Sequence, residues 1–212
     1  MQRHTLFCER VGYIEMPSRA SYLIKPTLLA RGAILLALAV TIHAAAPRKE
    51  PTMNPKIADE SGFSVIGIEA RTSNAKEMTP EGTIGKQWAR FMTENLSTQI
   101  PNKSDSAILA VYTDYASDKD GEYTFILGAR VTSATDVPNG MIARKVQLGH
   151  YAIFTSEKGP VAKVVSETWQ RIWSAPKSSP GGDRAYKTDY EVYDERAANP
   201  ENAQVEVHIG VK

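Results

Sequence analysis

Residues 187–194 run Lys-Thr-Asp-Tyr-Glu-Val-Tyr-Asp and read as a strand, whose alternation puts Asp189, Glu191 and Tyr193 on one face and Tyr190 and Val192 on the other. A carboxylate flanked by phenol rings suits an organic cation. Each ring attracts positive charge through its quadrupole, by about 0.5 to 2 kcal/mol, and a partly desolvated carboxylate supplies the larger attraction. The same groups suit general-base chemistry, with Glu191 activating water while the hydroxyl of Tyr112 or Tyr193 donates a hydrogen bond. A carboxylate buried without a partner is costly and has a raised pKa. On residue type alone, therefore, a strand glutamate belongs on the solvent face of a half-covered sheet.

Common catalytic signatures are missing: HExxH, CxxC, GxSxG, the Walker phosphate loop and GxGxxG do not occur. The single cysteine is Cys8, and only His150 and His208 lie beyond Met53, so no zinc ligand set and no thiol nucleophile is expected in the main body. No cofactor is implied. The first 52 residues hold seven Lys/Arg against three Asp/Glu, while the remaining 160 hold 18 against 21. A weakly acidic body lacks the clustered Lys/Arg that displaces phosphate counterions, which argues against direct nucleic-acid binding.

Residues 1–52 form a leader distinct from a domain at 53–212. An apolar run, Gly32 to Ile42, follows Lys25 and Arg31 and precedes Ala44-Ala-Ala46, the outline of an export signal. Eleven residues are too few for the roughly 20 that cross a bilayer, so no stable membrane span is expected. Two readings stand: an exported protein with a working signal, or a cytoplasmic protein whose translation starts at Met53.

Within the domain, periodicity predicts a strand from Phe63 to Thr72, a helix from about Pro80 to Thr98, and strands Ile108 to Tyr115 and Glu122 to Val131 around an Asp120-Gly121 turn. The order then recurs, with a strand from about Ile142 to Thr155 bent at Gly149, a helix from about Pro160 to Trp173, and strands Lys187 to Asp194 and Gln204 to Val211. Gly67 and Gly149, Trp88 and Trp169, Tyr112 and Tyr193, and Gly128 and Gly210 match at offsets of 81 or 82. The fold class is α+β: duplicated strand-helix-strand-strand units, repeats at about 63–132 and 142–212, related by a pseudo-twofold axis. Antiparallel half-sheets with one helix per repeat leave a central groove, where small-molecule sites concentrate. As the repeat mate of Tyr193, Tyr112 is expected to point into the same central region. Because the duplication already joins two halves, a monomer is expected.

Gly121-Glu-Tyr-Thr-Phe-Ile-Leu-Gly-Ala129, Val137-Pro138, Gly149-His-Tyr-Ala-Ile-Phe154, Gly159-Pro160, Thr168-Trp-Gln-Arg-Ile-Trp173, Tyr190-Glu-Val-Tyr-Asp-Glu-Arg196 and Val205-Glu-Val-His-Ile209 occur in that order. This set resembles the gyrase-inhibitor-like superfamily, and more narrowly the effector-binding domains of AraC-type regulators and their stand-alone integron-associated relatives. The resemblance implies a groove that binds small amphipathic compounds, often cationic and aromatic, with an acidic residue as counter-charge. The matching position is Glu191. With Glu191 so placed, the candidate ligand-binding residues are Glu191, Tyr193 beside it by alternation, Tyr112 by the repeat, Tyr151 after the bend at Gly149 and Trp173 at its helix end, although Tyr151 and Trp173 suit core packing equally well. Trp88 and Trp169, mid-helix on apolar faces, read as core. The leader offers no convincing helix pair for DNA, so the chain reads as a sensor that either sequesters its ligand or docks to a separate transcription regulator. Two alternatives stay open. One is a hydrolase of strained electrophilic compounds using Glu191 with Tyr112 or Tyr193, and the other a protein inhibitor of gyrase type.

Overall fold

A computed structural model of the chain describes residues 54–212; the apolar run at Gly32 to Ile42 and Cys8 lie outside the described residues. The elements in chain order are strands β1 (Lys56–Glu60) and β2 (Phe63–Ser73), helices α1 (Asn74–Glu77), α2 (Ile84–Thr93) and α3 (Leu96–Gln99), and strands β3 (Ile108–Thr113), β4 (Glu122–Val131), β5 (Ile142–Val146) and β6 (Gly149–Thr155). Helix α4 (Val161–Ser174), strand β7 (Arg184–Tyr193), two short 3-10 turns and strand β8 (Glu206–Val211) complete them. Among the described residues no helix is long and apolar enough to cross a membrane.

All eight strands form one sheet, in the order β1-β6-β8-β7-β3-β4-β2-β5, antiparallel throughout. The order is symmetric about the β7–β3 pair, so the two halves share a single sheet rather than forming two separate half-sheets. The stretch from Ile142 to Thr155 is not one bent strand. β5 pairs with β2 at one edge and β6 pairs with β1 and β8 near the other, and the chain changes partner through the exposed Gln147 and Leu148. The corner at Gly62 packs against that connection, leaving no room for a side chain: a methyl there would sit 2.7 Å from the Val146 carbonyl oxygen. β1 falls before the first strand expected from periodicity.

Alternation along the strands builds two cores. On one face Val65, Leu109, Val111, Ile126, Val146, Tyr151 and Tyr190 pack together. The other face carries the helices. Ile84, Trp88 and Phe91 of α2, at helical spacing, cover Ile66, Ile68, Phe125 and Leu127, while Trp169 and Ile172 of α4 cover Ala152, Phe154, Val207 and Ile209. The helix expected to run from Pro80 to Thr98 is shorter and broken, because Asn95 takes a left-handed conformation (φ 50°) between α2 and α3. The start of α2 has no capping side chain of its own. Glu77 serves instead, accepting from the backbone N–H groups of Thr83 (2.8 Å) and Ile84 (3.0 Å).

The offset of 81 holds at the centre and slips outwards. Ala110 pairs with Glu191 and Tyr112 with Asp189, which places the pseudo-twofold at the Ala110–Glu191 pair and relates Tyr112 to Tyr193. The glycine matches fall out of register: Gly67 faces Gly128 across β2–β4, whereas Gly210 faces Tyr151 and Gly149 faces Glu60.

Candidate functional site

At the centre of the sheet, on the helix-bearing face, lies Glu191. It is 1% exposed. Three neutral donors reach it: Tyr112 Oη to Oε1 at 2.9 Å, Trp169 Nε1 to Oε1 at 2.5 Å, and Tyr193 Oη to Oε2 at 2.5 Å. Each donor follows from local structure. Tyr193 is two residues along β7 and so shares the face of Glu191, and Tyr112 arrives from β3 by the two-fold. Trp169 descends from α4 with Thr168 and Ile172 buried beside it. The sequence assignment of Trp169 to core alone is therefore incomplete: helical spacing predicts which face an indole occupies, but not where its N–H points.

The surroundings repeat the symmetry. Trp88 meets Tyr193 edge-on at 4.8 Å, and its counterpart Trp169 meets Tyr112 edge-on at 5.2 Å. Tyr112 also packs on Tyr123 and Phe125 and belongs to both helix-side clusters, so it joins the two halves. No cationic side chain of the described residues pairs with Glu191. Burial pushes its carboxyl above the ordinary range, and the hydrogen bonds from Tyr193, Trp169 and Tyr112 only partly oppose this. Burial and the Glu191 charge in turn push the Tyr112 and Tyr193 hydroxyls well above the ordinary phenol range, so both remain donors.

A cavity of about 150 Å³ opens against this group, lined among others by Tyr112, Tyr123, Trp169, Trp173, Lys119 and Arg184. That is the volume of roughly five waters at ~30 Å³ each, or one substituted aromatic ring. Glu191 itself does not line it; Tyr112 and Trp169 stand between carboxylate and cavity. Because both rings donate their polar hydrogens to an anion, their faces are enriched in electron density, which strengthens their attraction for a cation. Trp173, 40% exposed, leans on Trp169 with centroids 5.8 Å apart and stands at the cavity wall.

Of the five expected residues the structure brings Glu191, Tyr112 and Tyr193 into hydrogen-bond contact and places Trp173 on the cavity. Tyr151 is elsewhere. It is buried on the opposite face of the sheet, edge-on to Tyr190 at 5.4 Å, because alternation from Ala152, which packs under α4, turns it away. Sequence reasoning took Trp169 for core alone and passed over Arg184, Tyr115 and Tyr123. Tyr115 donates to Asp189 at 2.7 Å, and Asp189 also accepts from the Gly210 backbone at 2.8 Å and from Arg184. The Asp189 position was legible from alternation, but its partners were not.

Comparison with known proteins agrees with this architecture. The chain is 34% identical over 147 residues, 69% of its length and 90% of the relative's, to YobU of Bacillus subtilis, a protein provisionally named as a transcriptional regulator. The integron cassette protein VCH_CASS2 from the mobile metagenome of Vibrio cholerae superposes with a TM-score of 0.60 at 30% identity, covering 75% of this chain and 96% of that one. SAV2435, solved bound to tetraphenylphosphonium, superposes with a TM-score of 0.60 at 15% identity, over 76% and 94% of the two chains, a likeness of fold alone. The family described as integron-associated effector binding protein matches residues 56–211, and with the sheet, the helices and the buried centre already in place, the chain belongs to that family.

Proposed function

We propose that the chain binds small amphipathic aromatic cations in the cavity before Glu191, acting as a ligand sensor that carries no DNA reader in residues 54–212 and working by sequestration or by docking to a separate regulator. One observation carries this reading: a fully buried carboxylate held by three neutral donors, with no cation of the protein beside it, behind two cavity-lining aromatic rings. When ionised, Glu191 has no cationic side chain of the described residues as a partner. An organic cation at the ring faces supplies the missing partner and brings little desolvation cost of its own, because its charge is spread and weakly hydrated.

The test is titration of the full chain with phenyltrimethylammonium and its neutral isostere tert-butylbenzene, followed by the fluorescence of the tryptophans, two of which line the cavity. Tetraphenylphosphonium, the ligand in the SAV2435 structure, probes whether the wall at Trp173 opens for a larger cation. Selective binding of the cations, weakened in Glu191→Gln, supports the proposal. A cation about 6 Å from the carboxylate at an effective dielectric near 20 gains about 3 kcal/mol, so the loss is expected near 100-fold. Equal affinity for cation and isostere would overturn it.

A further inference from the structure

The cavity wall carries three charged side chains that cation binding before Glu191 does not use: Glu77, which caps α2, Lys119 and Arg184. Arg184, the first residue of β7, lines the cavity and is 6% exposed. Its Nη2 donates to Asp189, while Nε and Nη1, buried as deeply, have no acceptor. Guanidinium N–H groups out of contact with both water and an acceptor are costly, and a protein seldom retains them without a use. The backbone is bent to hold the group there. Tyr186 takes a left-handed conformation (φ 51°), and the β7–β8 register shifts between Arg184 and Asp189. The guanidinium carbon stands 4.5 Å from the centroid of the Tyr186 ring and 5.7 Å from that of Trp169.

Trp169 thus separates two opposite charges: its N–H is on Glu191, and its ring lies beside Arg184. Asp189, which holds Arg184, and Glu191 lie two residues apart on one face of β7, about 7 Å along the strand. Pairing with Asp189 removes most of the repulsion Arg184 would exert on a bound cation, yet leaves donors in the planar fork that matches a carboxylate. We infer that Arg184 is a second recognition point in this cavity, taking the carboxylate of an aromatic zwitterion whose ammonium group is held before Glu191. The inference rests on the cation-binding reading and narrows its ligand class. Lys119, the other cationic lining residue, is half-exposed and paired with Asp120 at 2.7 Å, so it offers a mouth charge rather than a buried fork.

The test compares, on the unaltered full chain, phenyltrimethylammonium with 3- and 4-(trimethylammonio)benzoate, which add only a carboxylate. At least one isomer is expected to bind tenfold or more tightly than phenyltrimethylammonium. That gain is expected to persist in Lys119→Gln. It is expected to vanish in the Arg184→Gln, Asp189→Asn pair, which removes both charges together and leaves no buried ion alone. If phenyltrimethylammonium binds and neither carboxylate improves on it, or if the gain disappears in Lys119→Gln, the Arg184 assignment is overturned while the cation site stands. If none of the three ligands binds, the cation site fails and Arg184 with it.

Discussion

Removing the Tyr193 hydroxyl separates the charge of Glu191 from the shape of the cavity. Tyr193 donates to Oε2 at 2.5 Å from behind the carboxylate and does not line the cavity, so Tyr193→Phe leaves the lining and the edge contact with Trp88 in place. A hydrogen bond to a charged group contributes roughly 1.5 to 3 kcal/mol, and 1.36 kcal/mol corresponds to one pH unit, so losing it moves the Glu191 pKa up by about 1 to 2 pH units. The carboxyl already lies above its ordinary range because of burial, so cation affinity in the unaltered protein falls as pH drops through that raised pKa. In Tyr193→Phe the midpoint is expected about 1 to 2 pH units higher, with the same plateau at high pH. Tyr112 and Tyr193 do not themselves titrate in this window, since burial and the Glu191 charge push both hydroxyls well above 10. The assay is phenyltrimethylammonium affinity from pH 5 to 9.5, with tert-butylbenzene as the uncharged control. An unchanged midpoint with a uniformly lower plateau would refute the idea that these donors hold a working charge.

Stability should report the same carboxylate with the opposite sign. Glu191 titrates higher in the fold than in the unfolded chain, so its favourable contribution is complete below about pH 4 and is lost as pH rises through the folded pKa. Glu191→Gln is therefore expected to gain stability over the unaltered chain at pH 8 but not at pH 4 in urea unfolding, and an equal change at both pH values would count against a buried, costly carboxylate. The tryptophans should differ despite their symmetry: Trp169→Phe removes a donor to Glu191 and is expected to weaken cation binding tenfold or more, whereas Trp88→Phe, which only packs on Tyr193, changes it less than threefold. Gly128→Ala would put a methyl 2.1 Å from the Ile66 carbonyl oxygen and is expected to cost about 3 kcal/mol, while Gly85→Ala in open space on α2 should stabilise by about 0.5 to 1 kcal/mol; comparable thermal shifts for both would contradict the close β2–β4 approach.

The elements and the centre of the site were legible because both depend on local alternation. Asp189, Glu191 and Tyr193 lie on one face by the pleat of β7, and Tyr112 joins them by the offset of 81. What alternation does not report is which edge a strand joins. β5 and β6 read as one strand because nothing in Ile142 to Thr155 announces a change of partner except the glycine, and the exchange depends on pairing with β2 and β1 far away in sequence. Of the two places open to Tyr151, cleft or core, it takes the core, because the change of partner at Gly149 starts a new strand whose alternation sets Ala152 under α4 and Tyr151 on the other face. Trp169 and Arg184 were hidden differently. Their positions were visible, but the direction of one N–H and the left-handed turn at Tyr186 are tertiary facts.

The two-fold explains why the charge is single. Ala110 faces Glu191 directly across β3–β7, so two identical halves would bring either no carboxylate to the axis or two of them about 5 Å apart. At an effective dielectric near 20 two such charges repel by about 3 kcal/mol, and one would hold its proton. Two unlike halves in one chain escape that choice: both tyrosines remain, one from each half, and both serve a single glutamate. Ala110→Glu should restore the conflict. Because Ala110 is fully buried, crowding alone will destabilise any larger residue, and Ala110→Gln measures that part. Between pH 5 and 9 the Glu variant is expected to lose stability progressively relative to the Gln variant, by up to about 3 kcal/mol as both carboxylates are forced to ionise. Parallel stability profiles for the two variants would mean that position 110 does not face the charge, and the asymmetry at the axis would then have no electrostatic cause.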